Sequence, residues 1–247
     1  PYHDIMVFTE FGAPKDLKAG FDPERIDVFG KCLHFHKWST KEHIKTIDLG
    51  DDGKVGICCR FLHNPKEAQG YIAGTLNSNI FRFYKDNSGD WQISKVLSIS
   101  AKKVKGWVMD SLPAVISDFI ISLDDKYMYI SNYLHGDVRQ YDITDREHPK
   151  LTGQVFLSGL LTKDSHIQPI EEPPLEPCNI KGNRLYGGLH RLQLSLDGKR
   201  LYASSYLYKQ WDHKIYPKLS DYGGFIALIH CDTENGGLNL DHDFYVN

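Results

Sequence analysis

Histidine and cysteine are the residues of this sequence whose side chains could bind a transition metal or react with a thiol. The chain contains 12 histidines and 5 cysteines. Neutral imidazole is a good copper or zinc ligand when a second group orients the ring. His135 lies in the segment NYLHGD, where Gly136 allows a tight turn and the Asp137 carboxylate could orient the imidazole. This pattern predicts a catalytic and metal-binding role for His135. The simpler alternative is a turn residue that bonds to Asp137.

Three more residues are candidates for the same site. His190 directly precedes the apolar run RLQLSL, and we predict that it is a metal ligand. Asp118 begins the related run DFIISL and is the predicted catalytic carboxylate, able to orient a ligand imidazole, unless it is an ordinary polar residue of a strand. His63, in RFLHNP, is the third metal candidate, although its position beside a predicted turn favours a structural role.

Two pairs of residues have simpler interpretations. His34 and His36 alternate along a predicted strand and share one face, which is the geometry of a metal pair but also of a solvated surface. Cys58 and Cys59 are adjacent, so their side chains point to opposite faces, and we interpret them as buried, inert thiols. No Ser-His-Asp spacing, phosphate-binding glycine loop or paired-carboxylate motif is present in the sequence.

The composition excludes several classes of function. A formal net charge of −3, with KKVK as the densest basic run, argues against a nucleic-acid partner. No apolar stretch approaches the roughly 18 residues that span a bilayer, so stable membrane insertion is not expected. The five cysteines are scattered and form no CxxC motif, which suits a reducing compartment, so we expect a cytoplasmic protein.

An internal repeat organises the chain. The segments FIISLDDKYMYISNYLHG and RLQLSLDGKRLYASSYLY match in one register, which aligns Ser122 with Ser195 and Asp124 with Asp197. A looser copy begins at Arg60. Each copy contains short β-rich runs separated by turn residues, and helical periodicity is confined to 66–69 and 14–29.

Four-stranded units repeated in an all-β chain predict a β-propeller, in which the first strand of each blade lines the central channel. The chain would supply about three and a half to four blades as one partial domain, with the last blade interrupted by a long excursion at 208–222. The predicted blades are 1–52 (incomplete), 54–100, 113–160 and 188–247.

This architecture ranks the candidate residues by position. The turn between the second and third strands of a blade, which contains His135, lies beside the channel mouth, where propellers usually bind ligands. His190 enters its inner strand near the same face, whereas His63 aligns with Ser122 at the opposite face. The segment 4–11 aligns with the second strand of a blade and no inner strand precedes it, so we expect upstream sequence to be absent. The proline-rich stretch 169–178 is interpreted as a loop between blades.

Several blocks resemble the selenium-binding protein and methanethiol oxidase family: PYHDIMVFTEFGAP, RFLHNPKEAQGYI, KKVKGW, ISLDDKYMYISNYLHGDVRQYDI, HPKLTGQVFLSG and QLSLDGKRLYASSYLY. The resemblance covers essentially the whole chain. It implies a seven-bladed propeller of which this chain is the C-terminal half, without the last few dozen residues. The family pattern keeps a His-Gly-Asp where His135 lies and usually has another polar residue where His190 lies.

The resemblance also implies a function. Methanethiol, O2 and water would become formaldehyde, hydrogen sulfide and hydrogen peroxide, with copper as the cofactor. The family's selenium-associated cysteine and several of its histidine motifs lie in the N-terminal half, so this fragment should be inactive without that missing half. The alternative is a non-catalytic selenium-binding propeller scaffold involved in protein interactions or intra-Golgi transport. For either function the expected location is the cytoplasm, with the nucleus and the membrane surface as alternatives.

Overall fold

The computed structural model describes residues 2–18 and 22–247, and antiparallel β-sheet dominates this part of the chain. The first sheet has three strands in sequential order, and a short helix, α1 (Pro14–Lys18), and a 3₁₀ segment (Pro23–Val28) lie between the first two. The strands are β1 (Ile5–Thr9), β2 (Cys32–Lys37) and β3 (His43–Asp48).

Three four-stranded sheets follow, each with its strands in sequential, antiparallel order. After a 3₁₀ turn (Asp51–Gly53), the second sheet contains β4 (Gly56–Phe61), β5 (Gln69–Gly74), β6 (Asn79–Lys85) and β7 (Trp91–Ser98). A connection with β8 (Lys102–Lys105) and β9 (Ser111–Leu112) leads to the third sheet of β10 (Ile116–Ile121), β11 (Tyr127–Asn132), β12 (Asp137–Asp142) and β13 (Lys150–Phe156).

The connection to the fourth sheet carries β14 (Gln168–Pro169), which pairs with β8, and a small hairpin of β15 (Asn179–Ile180) and β16 (Asn183–Arg184). The fourth sheet contains β17 (Leu189–Leu194), β18 (Arg200–Ser205), β19 (Ile226–Cys231) and β20 (Leu238–Val246), with α2 (Lys209–Ile215) and α3 (Leu219–Tyr222) inserted before β19. Consecutive sheets of this kind confirm the predicted β-propeller fold.

The repeated Ser-Leu-Asp turns are equivalent. Ser122 donates its backbone N–H to the carbonyl of Tyr127 at 2.8 Å, and Ser195 donates its N–H to the carbonyl of Arg200 at the same distance. Each serine hydroxyl also bonds to the aspartate two residues later. The third residue after the serine has positive φ in both turns, Asp125 at 57° and Gly198 at 73°. The repeat read from the sequence therefore describes one supersecondary unit.

The core lies between consecutive sheets. Successive residues of β5 face different neighbours: Ile72 packs with Leu33 and Phe35 of the first sheet, and Tyr71 packs with the third-sheet cluster that contains Phe119. The strands of a middle blade are thus buried on both faces, which explains their nearly continuous apolar sequences.

Strand β1 has the position of a second strand. It contacts β4 of the next sheet in the way that β5 contacts β10 and β11 contacts β17. Within the described residues, the first sheet has no strand on the other side of β1.

The helical predictions were partly wrong. Residues 66–69 form a turn and the start of β5, because the pairing of β5 with its neighbours overrides the weak preference of these residues for helix. In 14–29, α1 and the 3₁₀ segment are present, and residues 19–21 lie outside the described residues. Helices α2 and α3 were not predicted, since neither is long enough to show a period. In residues 2–18 and 22–247, no helix has the length and apolar character needed to cross a membrane.

Candidate functional site

Equivalent positions at the start of the inner strands converge on one end of the fold. Ile57, Ser117 and His190 are the second residues of β4, β10 and β17. Each of these strands shows a register shift against its neighbour within its first four residues. Bulges at this point bend a strand and re-aim its side chains, and they occur often beside active sites.

The residue before two of the three inner strands is conformationally unusual. Val55 and Val115 have φ values of 61° and 57°, which are unfavourable for a β-branched residue. Their carbonyls accept hydrogen bonds from the N–H groups of Thr75 (3.1 Å) and Tyr133 (2.9 Å), which hold the strained backbone in place. Gly188 is the third equivalent residue, because its carbonyl accepts from Tyr206. Repeated strain of this kind marks a candidate functional region.

A cavity of about 250 Å³ opens at these positions, and we call it the channel-mouth cavity. Its walls are mainly apolar and come from the first three sheets and the insertion before β19. They include Phe11, Val55, Ile57, Met109, Val115, Ser117, Leu207, Trp211 and Ile215. An adjoining cavity of about 400 Å³ shares four of these residues and is also bordered by His190 and Arg191. The arrangement suits a small, largely apolar ligand.

The cavity is covered by residues 208–222, which we call the lid. Asp212 anchors it: Tyr133 donates its hydroxyl to Asp212 Oδ1 at 2.5 Å, and the N–H groups of Leu207 and Tyr208 donate to Oδ2 at 3.0 and 2.6 Å. Tyr216 donates its hydroxyl to the carbonyl of Tyr133 at 2.7 Å. Burial raises the pKa of Asp212 above its usual value. These bonds hold the cavity-lining residues of α2 in place.

His190 borders the second of these cavities, and one of its ring nitrogens has no hydrogen-bond partner. Its Nδ1 donates to the carbonyl of Tyr206 at 3.3 Å, so Nε2 carries the lone pair of the neutral ring. That Nε2 is buried and has no hydrogen-bond partner. Burial, with the neighbouring Arg191 charge, lowers the pKa of His190. The ring is therefore kept neutral, ready to accept a proton or bind a metal ion.

Asp118 joins two inner strands. Its Oδ2 accepts the N–H of Leu192, two residues beyond His190, at 3.1 Å. Its Oδ1 lies 3.4 Å from Arg60 Nη2 and 3.8 Å from Arg191 Nη1. The carboxylate is 1% exposed and fixes the backbone next to His190 without bonding to the imidazole.

His135 lies in the predicted turn, but its ring is fully buried and is not among the residues that line the channel-mouth cavity. Its Nε2 donates to the carbonyl of Leu112 at 3.0 Å, and its Nδ1 has no partner. Burial lowers the pKa of His135. Nearby, Asn132, Asp137 and Ser158 also have buried polar atoms without partners. A metal could reach this imidazole only through Nδ1.

Asp137 does not orient the His135 ring through a hydrogen bond, contrary to the sequence-based expectation. Its Oδ2 accepts from Arg139 Nε at 2.7 Å and from Gln154 Nε2 at 2.6 Å, because these side chains share its face of the sheet. The Leu112 carbonyl, from the connection between the second and third sheets, orients the imidazole instead.

His63 lies at the opposite end of the strands, as its alignment indicated. It follows the C-terminal end of β4, about 20 Å along the strand direction from Ile57 at roughly 3.3 Å per residue. Its Nδ1 and backbone N–H both contact Asp125 Oδ1, at 2.9 and 2.8 Å. His63 and His190 are thus not brought together.

Neither a complete metal site nor a reactive thiol is found in residues 2–18 and 22–247. No three or more histidine, cysteine, aspartate or glutamate side chains in these ranges are grouped to hold a metal. Burial raises the pKa of every cysteine thiol, to about 12 for Cys58 and Cys231. These thiols are therefore poor nucleophiles, in line with the interpretation of Cys58 and Cys59 as inert, although both side chains are half-buried and not fully buried.

Sequence reasoning missed the lid residues Trp211, Asp212 and Tyr216 and their partner Tyr133. The available signal was the aromatic-rich excursion YLYKQWDHKIYP, which is too apolar for a solvated loop. Its contact with Tyr133 depends on the third and fourth sheets being neighbours, which no local pattern specifies.

Comparisons with known proteins find similar sequences along the whole chain. The sequence profile described as 56kDa selenium binding protein (SBP56) matches residues 1–247. Methanethiol oxidase of Xenopus tropicalis is 44% identical over 252 residues, covering 100% of this chain and 53% of that protein. Selenium-binding protein 2 of Mus musculus is 43% identical with the same coverage. The chain spans about half the length of the curated relatives it matches.

A solved structure is also similar. The X-ray structure of a hypothetical selenium-binding protein from Sulfolobus tokodaii superimposes with a TM-score of 0.84 at 29% sequence identity. The match covers 98% of this chain and 52% of that one.

Proposed function

The chain belongs to the 56kDa selenium binding protein family, and from that premise we propose that the protein containing it oxidises a small thiol of the methanethiol type. Methanethiol, O2 and water would be converted to formaldehyde, hydrogen sulfide and hydrogen peroxide. The observation that carries the proposal is an apolar cavity whose neighbouring cavity is bordered by a histidine that keeps an unprotonated, unpartnered nitrogen. The similarity to proteins named methanethiol oxidase supports the choice of substrate.

Each part of the site has a distinct role in this proposal. The apolar walls bind the methyl group and exclude water, and the lid retains the substrate. His190 Nε2 accepts the thiol proton, because its lowered pKa keeps it neutral. Asp118 is a positioning residue, since it holds the strand that carries His190.

Copper, when bound, would supply the one-electron chemistry that O2 reduction needs. The described residues do not provide a complete set of ligands, so we assign no step to copper here. In the whole protein, further ligands would come from sequence outside this chain. His190 Nε2 has the single lone pair of the ring, and we assign it to the thiol proton and not to copper; His135 would contribute only through its buried Nδ1, and His63 is engaged by Asp125.

Selenium binding is proposed to depend on residues outside this chain, because burial raises the pKa of all five thiols here. The cysteines are all free, which fits our proposal of a cytoplasmic location.

The test is a product analysis of the full-length, copper-loaded protein supplied with methanethiol. Hydrogen sulfide, formaldehyde and hydrogen peroxide should appear in equal amounts as O2 is consumed, whereas this chain alone should be inactive. Methanol in place of methanethiol is the matched control. Absence of thiol-dependent O2 uptake by the full-length protein would identify it as a non-catalytic propeller.

A further inference from the structure

One wall of the channel-mouth cavity is the segment 111–117, which leads from the second sheet into β10. Alternate residues of this segment line the cavity: Ser111, Pro113, Val115 and Ser117. Val115 has the unfavourable φ of 57°, so the wall keeps its conformation only while neighbouring groups hold it. One of these groups is the Ser78 hydroxyl, which accepts the N–H of Val115 at 2.9 Å.

The turn between β11 and β12 holds the same wall through three hydrogen bonds. Its backbone at 133–134 donates two N–H groups to the carbonyls of 114–115, both at 2.9 Å. The third bond comes from a side chain, since His135 Nε2 donates to the carbonyl of Leu112 at 3.0 Å. The ring is fully buried, and the two sheets that this connection joins each have four strands. The contact is therefore internal to two adjacent blades.

The second sheet has the same contact at its equivalent turn. The pairing of β4 with β5 and of β10 with β11 places Asn77 at the position of His135. Asn77 Nδ2 donates to the carbonyl of Asp51 at 2.7 Å, in the connection that enters β4. The amide and the imidazole share an N–H donor, whereas only the imidazole is a preferred copper ligand. The repeated feature is therefore the hydrogen bond to the connection, which indicates that His135 serves as a donor.

The wall also lies next to the strand that carries His190. Ser117 donates its hydroxyl to the carbonyl of Leu189, the residue before His190, at 2.7 Å. This bond does not involve His135, so it remains when the imidazole is replaced. A change at His135 is therefore expected to move the apolar wall and to leave the proposed proton acceptor in place.

On the basis of the thiol oxidation proposed for this cavity, we propose that His135 is a positioning residue. Its Nε2–H fixes the wall 111–117, and the wall determines how tightly the apolar group of the substrate is bound. The ring does not line the cavity, and this role requires no metal on Nδ1. Loss of contacts that are equally strong in the ground state and in the transition state raises KM and leaves kcat unchanged. Removing the donor should therefore weaken substrate binding more than it slows the chemical step.

The experiment compares His135→Phe and His135→Gln in the full-length, copper-loaded protein. Phenylalanine keeps a ring but has no donor, whereas glutamine retains a side-chain N–H. Hydrogen exchange of the amides in 112–117 should be about tenfold faster in His135→Phe, which corresponds to one lost hydrogen bond, and close to wild type in His135→Gln. His148→Phe, the same change at an exposed histidine between β12 and β13, should exchange as wild type.

Kinetics and copper content complete the comparison. His135→Phe should raise KM for methanethiol about tenfold, with kcat within about twofold of wild type, because the same hydrogen bond is lost. His135→Gln should restore the wild-type KM, and both variants should bind as much copper as wild type.

Two results would overturn the proposal. One is wild-type exchange and KM in His135→Phe, and the other is loss of copper in His135→Gln, which would make the ring itself a metal ligand. The second result decides between the two roles even if His135→Phe does not fold. Exchange is measured without turnover, so absence of thiol oxidation in the full-length protein would refute the proposed function alone, and the hydrogen bond to the wall is tested separately.

Discussion

The Asp212 side chain is predicted to hold the lid closed, and Asp212→Ala removes that anchor. Its carboxylate accepts three hydrogen bonds, from the Tyr133 hydroxyl and from the N–H groups of Leu207 and Tyr208. The same burial that isolates these bonds from water also raises the pKa of Asp212, so part of their benefit is offset by the cost of burying the charge.

The size of the effect follows from this balance. A hydrogen bond to a charged group contributes about 1.5–3 kcal/mol, so three bonds contribute about 4.5–9 kcal/mol before the burial cost. We expect Asp212→Ala to lower the free energy of lid opening by about 3 kcal/mol. At about 1.4 kcal/mol per decade, this increases the equilibrium constant for lid opening roughly 100-fold. Opening the lid rehydrates the orphaned donors, so the loss should be local and leave the sheets folded.

Hydrogen exchange measured by mass spectrometry is the assay. Amides of residues 208–222 should exchange about 100-fold faster in Asp212→Ala, and about tenfold faster in Tyr133→Phe, which removes one of the three bonds. Asp221→Asn, an exposed change in α3, is the matched control and should exchange as wild type. Unchanged exchange in Asp212→Ala would refute the anchoring role.

Three further predictions concern other parts of the chain. Gly136→Ala should lower the free energy of urea unfolding by more than about 2 kcal/mol, because its φ is +74° and an added β-carbon would meet the Ser158 carbonyl oxygen at 2.0 Å. Gly89→Ala is the control: its φ is +86° but the space around it is open, so the free energy of unfolding should fall by only about 1 kcal/mol. Cys58 should resist iodoacetamide at pH 8 until urea unfolds the protein, since burial raises its pKa to about 12; rapid native-state alkylation would contradict this. Because the pKa of Asp212 is raised, the closed lid binds a proton more tightly than the open one. Lid protection, corrected for intrinsic exchange, should therefore grow as the pH falls toward the ordinary aspartate pKa of about 3.9 and shrink as it rises, and Asp212→Asn should lack this trend.

The repeat, the fold class and the turn positions could be predicted because they depend on local patterns. The Ser-Leu-Asp turns and the apolar strands beside them recur with the same spacing, and each copy forms the same hydrogen bonds. The helices of the lid escaped prediction because α2 is stabilised by Asp212 and by contacts with a turn distant in sequence.

The candidate site was harder to predict because histidine function depends on which nitrogen remains free. His135 and His190 occupy the predicted turn and strand start, yet of these two only His190 borders a cavity, the one that adjoins the channel-mouth cavity. The orientation of His135 by the Leu112 carbonyl arises from a long connection between sheets, which no sequence spacing reports.

The most direct test of the central claim is the rate of methanethiol-dependent hydrogen sulfide release by His190→Gln in the full-length, copper-loaded protein. A positioned general base typically contributes about 10²–10⁴-fold, so kcat/KM should fall by at least about 100-fold while the urea midpoint stays close to that of wild type. His148→Gln, the exposed control, should retain full activity. Wild-type turnover by His190→Gln would contradict the assignment of thiol oxidation to the channel-mouth site.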